Sequence, residues 1–231
     1  MREIPTGCGV ENNDSPRWDL IDLARWKLVP EWAGGGKPYI QGFKDAWVVR
    51  NKERIIVAAG AQNIPVELLA GTTWIEVGGD PNFIDRMAFE VRSGVAANPR
   101  LQSTLNWAGL KKFTAPAAKT SFGSISMQLR TAAETMGLDP SKMTHQQFSK
   151  LGSCLEVDFY NIDIVARHLR MLADYDKLQS PLTKEDARII GARYNRGIGL
   201  SMEKLKEDLS YGNFIVNNWE RFHNLVRLGH K

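Results

Sequence analysis

Four segments hold residue types suited to acid–base chemistry on a sugar. The first runs from Ile64 to Glu76: an apolar stretch behind Pro65 that ends on a carboxylate and is followed by Gly78-Gly79. A Glu at a helix C-terminus meets the negative end of the macrodipole, and Trp74, Ile75 and Val77 would strip water from it. Both effects raise a carboxyl pKa, the condition for a general acid near neutral pH. The second segment, Thr120 to Leu129, carries small hydroxyl residues and Gly123 into Met127-Gln128, where a sugar ring can approach closely and Gln128 offers a donor and an acceptor. The third, Glu156 to Ile162, places Glu156 and Asp158 ahead of Asn161. The fourth, Ala192 to Gly197, contains Tyr194-Asn195; a Tyr hydroxyl can orient an acid, and Asn can bind an acetamido or hydroxyl group. Each has a plain alternative: a solvated Glu at a frayed end, an N-capped core helix, an acidic helix start capped by Asn161, and a C-cap before Gly197.

These residues need helices to hold them, and the pattern supplies helices. Apolar positions 48, 55 and 59 share a helical face, and Pro65 restarts a helix through Val66, Leu69 and Thr73 that stops at Gly78-Gly79 and Asp80-Pro81. Ile84 to Val95, Ile125 to Met136 and Ile162 to Leu172 step by three and four. Thr183 and Asp186 form a capping-box pattern for a helix through Ile190 and Tyr194. Ser201 starts a helix through Leu205 and Leu209, and Ile215, Trp219, Phe222 and Val226 mark the last. No strand shows convincing alternation. The expected class is mostly α, with a loop-rich extension over residues 1–44, one short helix near Trp18 to Leu28, and a helical domain over residues 45–231.

Composition narrows the partners. The 231 residues are 43% apolar and 24% charged, enough for one packed core and too apolar for wholesale disorder. A net charge of +4 favours loose attraction to polyanions, including cell wall, but Lys111-Lys112 and Arg167-His168-Arg170 are too scattered for a nucleic-acid stripe. Membrane insertion is not expected: the apolar run Ile55 to Ala59 is far below the roughly 20 residues a span needs. Met1 to Asp14 has no apolar stretch of the kind a secretory signal carries. Cys8 and Cys154 are too few for a disulfide framework or a zinc site and are expected to be free thiols. No cofactor and no metal is expected. Seven Trp residues are many for this length. Trp74 is assigned to the wall of the acid's pocket, Trp47, Trp107 and Trp219 to core faces or groove rims, and Trp18, Trp26 and Trp32 to pinning the N-terminal segment.

In their order and separation the four segments resemble the lysozyme-like superfamily, in particular soluble lytic transglycosylases and goose-type lysozymes. That pattern is an apolar helix ending in a catalytic Glu, a Gly-rich run into Met-Gln, an Asn-Ile helix start, and Ala-x-Tyr-Asn-x-Gly. Here these are Glu76, Met127-Gln128, Asn161-Ile162 and Ala192 to Gly197, spanning about residues 45 to 200. Ile125-Ser126 replaces the usual Gly-Leu, and Arg193 and Arg196 stand where the pattern has Ala. These arginines either hold peptide carboxylates of a substrate or form a solvated helix face.

The resemblance implies a lysozyme-like fold and a muramidase acting on peptidoglycan glycan strands. Glu76 would be the general acid, Tyr194 its positioner, and Ser126, Met127, Gln128 and Asn195 sugar-binding residues. Asp85 is the first candidate for a second carboxylate, ahead of Glu90 and Asp158. Hydrolysis and transglycosylation remain alternatives, as do a catalytically silent wall-binding module and a chitin- or chitosan-cleaving glycosidase. The lack of a visible signal sets the expectation of a protein made in the cytoplasm and delivered to the periplasm or wall, as a secreted effector, a phage lysin or an excised domain. An injected effector would also imply an immunity protein that blocks the groove.

Overall fold

The computed structural model describes Cys8 and residues 16–78, 82–107 and 114–227. It is mostly helical. In chain order the helices are α1 (Leu20–Leu28), α2 (Gly36–Arg50), α3 (Lys52–Ala61), α4 (Val66–Glu76), α5 (Asn82–Ala96), α6 (Pro99–Trp107), α7 (Leu129–Thr135), α8 (His145–Leu155), α9 (Asp158–Tyr175), α10 (Lys184–Arg196), α11 (Met202–Lys206), α12 (Ser210–Asn217) and α13 (Trp219–Arg227). A hairpin of β1 (Ser121–Phe122) and β2 (Met127–Gln128) precedes α7, with Ser121 opposite Gln128 and Phe122 opposite Met127.

The organising element is α4. Leu68 through Trp74 are all buried, so every face of the helix is covered over these two turns, in keeping with a stretch of apolar and small residues that carries no charge. It packs against α2, α3, α9, α10, α12 and α13. The α10–α12 crossing is equally close: a Cβ added at Gly212 would lie 1.9 Å from the Arg188 carbonyl oxygen. Only glycine admits that approach, which brings the first turn of α12 against the middle of α10 at Arg188 and Gly191.

Several expectations change. Residues 16–44 are not loop-rich, since α1 packs on α2 and α2 runs through residue 44 without a break. Trp18 is what joins them: its ring meets Trp26 at 6.1 Å and Phe43 at 4.8 Å. Trp32, by contrast, is 89% exposed and pins nothing. The expected helix from Ile125 starts instead at Leu129, because residues 123–126 form the hairpin turn, with Ser126 at φ 50°. Asn161 is not a cap. It lies inside the first turn of α9, buried, and donates from Nδ2 to the carbonyls of Leu155 at 2.8 Å and Phe122 at 3.4 Å. Its side chain thereby ties the hairpin to the α8–α9 corner. The helix from Ser201 ends at Lys206, and the last expected helix is two, α12 and α13. Helices α6 and α8 were not expected, although Thr144 and Gln147 form a capping box for α8. Gly79, Asp80, Pro81 and Lys111-Lys112 lie outside the described residues, as does the Met1 to Asp14 stretch apart from Cys8.

Cys8 and Cys154 are not free thiols but a disulfide, closing a separation of 146 residues. Two cysteines so far apart in sequence give no local sign of pairing; the fold alone brings their Cα atoms to 5.0 Å. Among the described residues, no helix is long and apolar enough to cross a membrane.

Two measurements check this framework. Denatured, unreduced protein should take up no alkylating reagent, and both of its 2 cysteines should be alkylated after reduction. Gly123→Ala should lower Tm by about 5–10 °C, because Gly123 sits at φ 78° and a Cβ there would lie 1.9 Å from Asn161 Nδ2 and 2.0 Å from the Leu155 carbonyl.

Candidate active site

Glu76 is the last residue of α4, and Val77 leaves the helix in extended backbone. Its carboxylate is half-buried where α4, α10 and α12 converge. Tyr211 Oη, from the first turn of α12, donates to Glu76 Oε1 at 2.8 Å. The Tyr194 ring from α10 lies against Tyr211, centroids 5.9 Å apart. From α2, the Lys44 ammonium donates to the Ile75 carbonyl and adds positive potential at Glu76.

The electrostatics of this cluster are set by burial. Loss of water raises the Glu76 pKa above the usual carboxylate value; the Tyr211 hydrogen bond and Lys44 pull the other way without cancelling it. Burial lowers Lys44 to about 8, with Glu76 opposing. Tyr194 and Tyr211 are held well above the usual phenol value, first by burial and then by the nearby carboxylate, so both stay protonated.

Glu76 opens onto a groove of about 650 Å³. One wall is the hairpin, with Ser126, Met127 and Gln128; the other is α9 and the end of α10, with His168, Tyr194 and Asn195. The hairpin wall has the depth it does because Asn161 fixes the turn from beneath. Asn195 also borders a second depression of about 360 Å³ whose floor includes Lys44, Trp74, Tyr211 and Phe214. Trp74 belongs to that side. Its indole Nε1 donates to Asp45 Oδ1 at 2.7 Å, and its ring stacks on Phe214 at 5.5 Å.

Six sequence-predicted residues therefore meet around one groove: Glu76, Ser126, Met127, Gln128, Tyr194 and Asn195. Asp85 does not join them. It is buried on α5 and is not among the groove's lining side chains. Glu90 faces His145 at 3.5 Å, and Asp158 is buried in the first turn of α9, where it accepts from Ser124 Oγ at 2.7 Å. Arg193 is neither a substrate clamp nor solvated. It is buried, paired with both Asp176 oxygens at 2.8 and 2.9 Å, and donates to the Leu200 carbonyl at 2.6 Å. Arg196 lines the groove, and its Nη1 donates to the carbonyls of Lys204 and Asp208.

Tyr211, rather than Tyr194, holds the acid. The Ala-x-Tyr-Asn pattern points to Tyr194, whereas Tyr211 announces itself only through the adjacent Gly212, the sign of a close helix crossing. Lys44, Glu134 and His168, all near the acid or in the groove, were also not assigned from sequence. Among the described residues there is no group of three side chains suited to hold a metal ion. No family model matches the chain, and neither a curated protein nor a solved structure matches it.

A pH-dependent stability effect follows from Glu76. Its folded-state pKa lies above its unfolded one, so ionisation disfavours the fold. That penalty is absent below the unfolded pKa and complete above the folded one. Glu76→Gln should therefore raise Tm by about 1–3 °C near pH 8, with the gain vanishing near pH 4. Tyr211→Phe should move the Glu76 pKa further upward in a carbon-detected NMR titration.

Proposed function

We propose that the protein is a muramidase on a lysozyme-like scaffold, cleaving the β-1,4 bond between N-acetylmuramic acid and N-acetylglucosamine in peptidoglycan. The observation that carries this reading is one half-buried carboxyl of raised pKa, Glu76, oriented by Tyr211 at the edge of an open groove lined by small, amide and aromatic side chains. Tyr211 occupies Oε1, which leaves Oε2 to carry the proton to the glycosidic oxygen. As that proton leaves, the Tyr211 hydrogen bond strengthens onto a full charge, and Lys44 adds to it.

The one-carboxylate route is favoured. The muramoyl 6-hydroxyl attacks the anomeric carbon, the bond to the leaving oxygen breaks, and Glu76, now a base, takes the hydroxyl proton. The acid is regenerated and the product is a 1,6-anhydro sugar. Asp85 and Asp158, off the groove, have no part in it. A second reading rests on Glu134, which lines the groove with Arg130 at 3.9 Å. As the base for a water it would make the enzyme inverting, a role that calls for roughly 6.5–9.5 Å between the carboxyls. The Cys8–Cys154 bridge suits action outside the reducing cytosol, in keeping with delivery to the periplasm or wall.

Digestion of purified peptidoglycan followed by mass spectrometry of the muropeptides tests the proposal. Anhydro products are expected, with Glu76→Gln slowing release by about 100-fold or more. Reducing products that disappear in Glu134→Gln would move the assignment to hydrolysis. An intact wall, or full activity in Glu76→Gln, would reject the muramidase reading.

A further inference from the structure

His168 is a buried imidazole in the groove wall that the mechanism above does not use. Its surroundings fix its tautomer. Thr135 Oγ1 lies 2.8 Å from the Thr131 carbonyl, to which its single proton is committed. The same oxygen is 3.0 Å from His168 Nδ1, and with its proton on the Thr131 carbonyl it accepts there, which favours the tautomer with hydrogen on Nδ1. Nε2 is then a bare lone pair. It has no hydrogen-bond partner among the described residues and is not sealed from solvent. The ring is braced from the side by Tyr194, with centroids 5.7 Å apart at 66°. Burial lowers the imidazole to about 4, so the ring is neutral through the physiological range and too weak a base to take up a proton there.

We propose that His168 Nε2 is a built-in acceptor for a sugar hydroxyl in the groove. This rests on the reading of the groove as a glycan site. A bare imidazole nitrogen in a fixed tautomer accepts a hydrogen bond and offers none, so it selects a free hydroxyl over an ether, acetal or carboxylate oxygen. Gln128, which also lines the groove, can rotate its amide to give or to take; His168 cannot, because the Thr135 hydroxyl, held by the Thr131 carbonyl, dictates its orientation from behind. The pair would therefore read different features of one glycan: Gln128 tolerantly, His168 strictly.

The test uses Glu76→Gln, which should bind without cleaving, and a peptide-free peptidoglycan tetrasaccharide of two N-acetylglucosamine–N-acetylmuramic acid units, followed by calorimetry. Adding His168→Phe, which preserves the ring's bulk, should weaken binding about fivefold to tenfold. Thr135→Val, off the groove, should weaken it about twofold to fivefold by releasing the tautomer. Nitrogen-15 spectra of the unmutated ring should show Nδ1 protonated and Nε2 bare, with the Nε2 resonance moving when the tetrasaccharide is added. This signal decides the matter if the Phe variant does not fold. Equal affinity in the folded Phe variant, a protonated Nε2, or an Nε2 resonance unmoved by bound tetrasaccharide would overturn the His168 assignment while leaving the glycan reading intact. Failure of Glu76→Gln to bind the tetrasaccharide at all would remove both.

Discussion

The enclosure of α4 is the constraint on which the rest depends. A helix whose middle carries no charge and has no solvent face must be surrounded, here by six other helices, and its charged residues, Glu67 and Glu76, stand near its two ends. At its C-terminal end the chain places a glutamate. There the carboxylate loses much of its water and faces the carbonyl ends of its own helix, and both effects oppose ionisation. A solvated helix carrying the same residue would have an ordinary acid. The raised pKa of Glu76 is thus a property of the whole packing arrangement rather than of its immediate neighbours.

That packing also determines which groups restrain the acid. Gly212 lets α12 lie against α10, and the residue before it, Tyr211, is swung onto Glu76 as a result. Lys44 arrives from α2, whose course is held by Asp45 bridging the Trp74 indole and Arg221. The tyrosine hydroxyl and the ammonium both favour the carboxylate, while burial favours the acid, and burial prevails. The arrangement resembles a balance more than a lock: hydrogen bonding and charge support the carboxylate while burial supports the acid, which suits the proposed acid–base role.

Helical class, the α4 termination and the capping box at Thr183 were legible because they depend on local periodicity and short-range hydrogen bonds. Six groove residues were legible as well, through the order of four short motifs. What escaped the sequence was long-range. Tyr211 is separated from Glu76 by 135 residues, and the adjacent Gly212 signals a close helix crossing without saying what the tyrosine meets there. Asp85 follows Glu76 closely in the chain and looked like a second carboxylate, yet α5 carries it away from the groove. Arg193 sits in a motif that suggested a substrate contact, but its partner Asp176 lies in the turn after α9, where a burial-dependent ion pair has no sequence signature. The free-thiol expectation for Cys8 and Cys154 failed for the same reason.

The hairpin shows how a small polar residue can work together with a core in shaping such a site. Two ladder positions cannot hold a hairpin in water, so the hairpin depends on what it is packed against, and Phe122, Ile125 and Met127 are buried in the core beneath it. Asn161 adds a polar anchor from inside α9 by binding a carbonyl on each side, and Gly123 yields the space that the amide occupies. A capping asparagine would have stabilised one helix end. Buried one turn deeper, the same side chain couples α9 to the hairpin that bears Ser126, Met127 and Gln128. The hairpin wall of the groove is therefore held by apolar burial and a hydrogen-bonded amide together, whereas the pKa of Glu76 is raised by its enclosure.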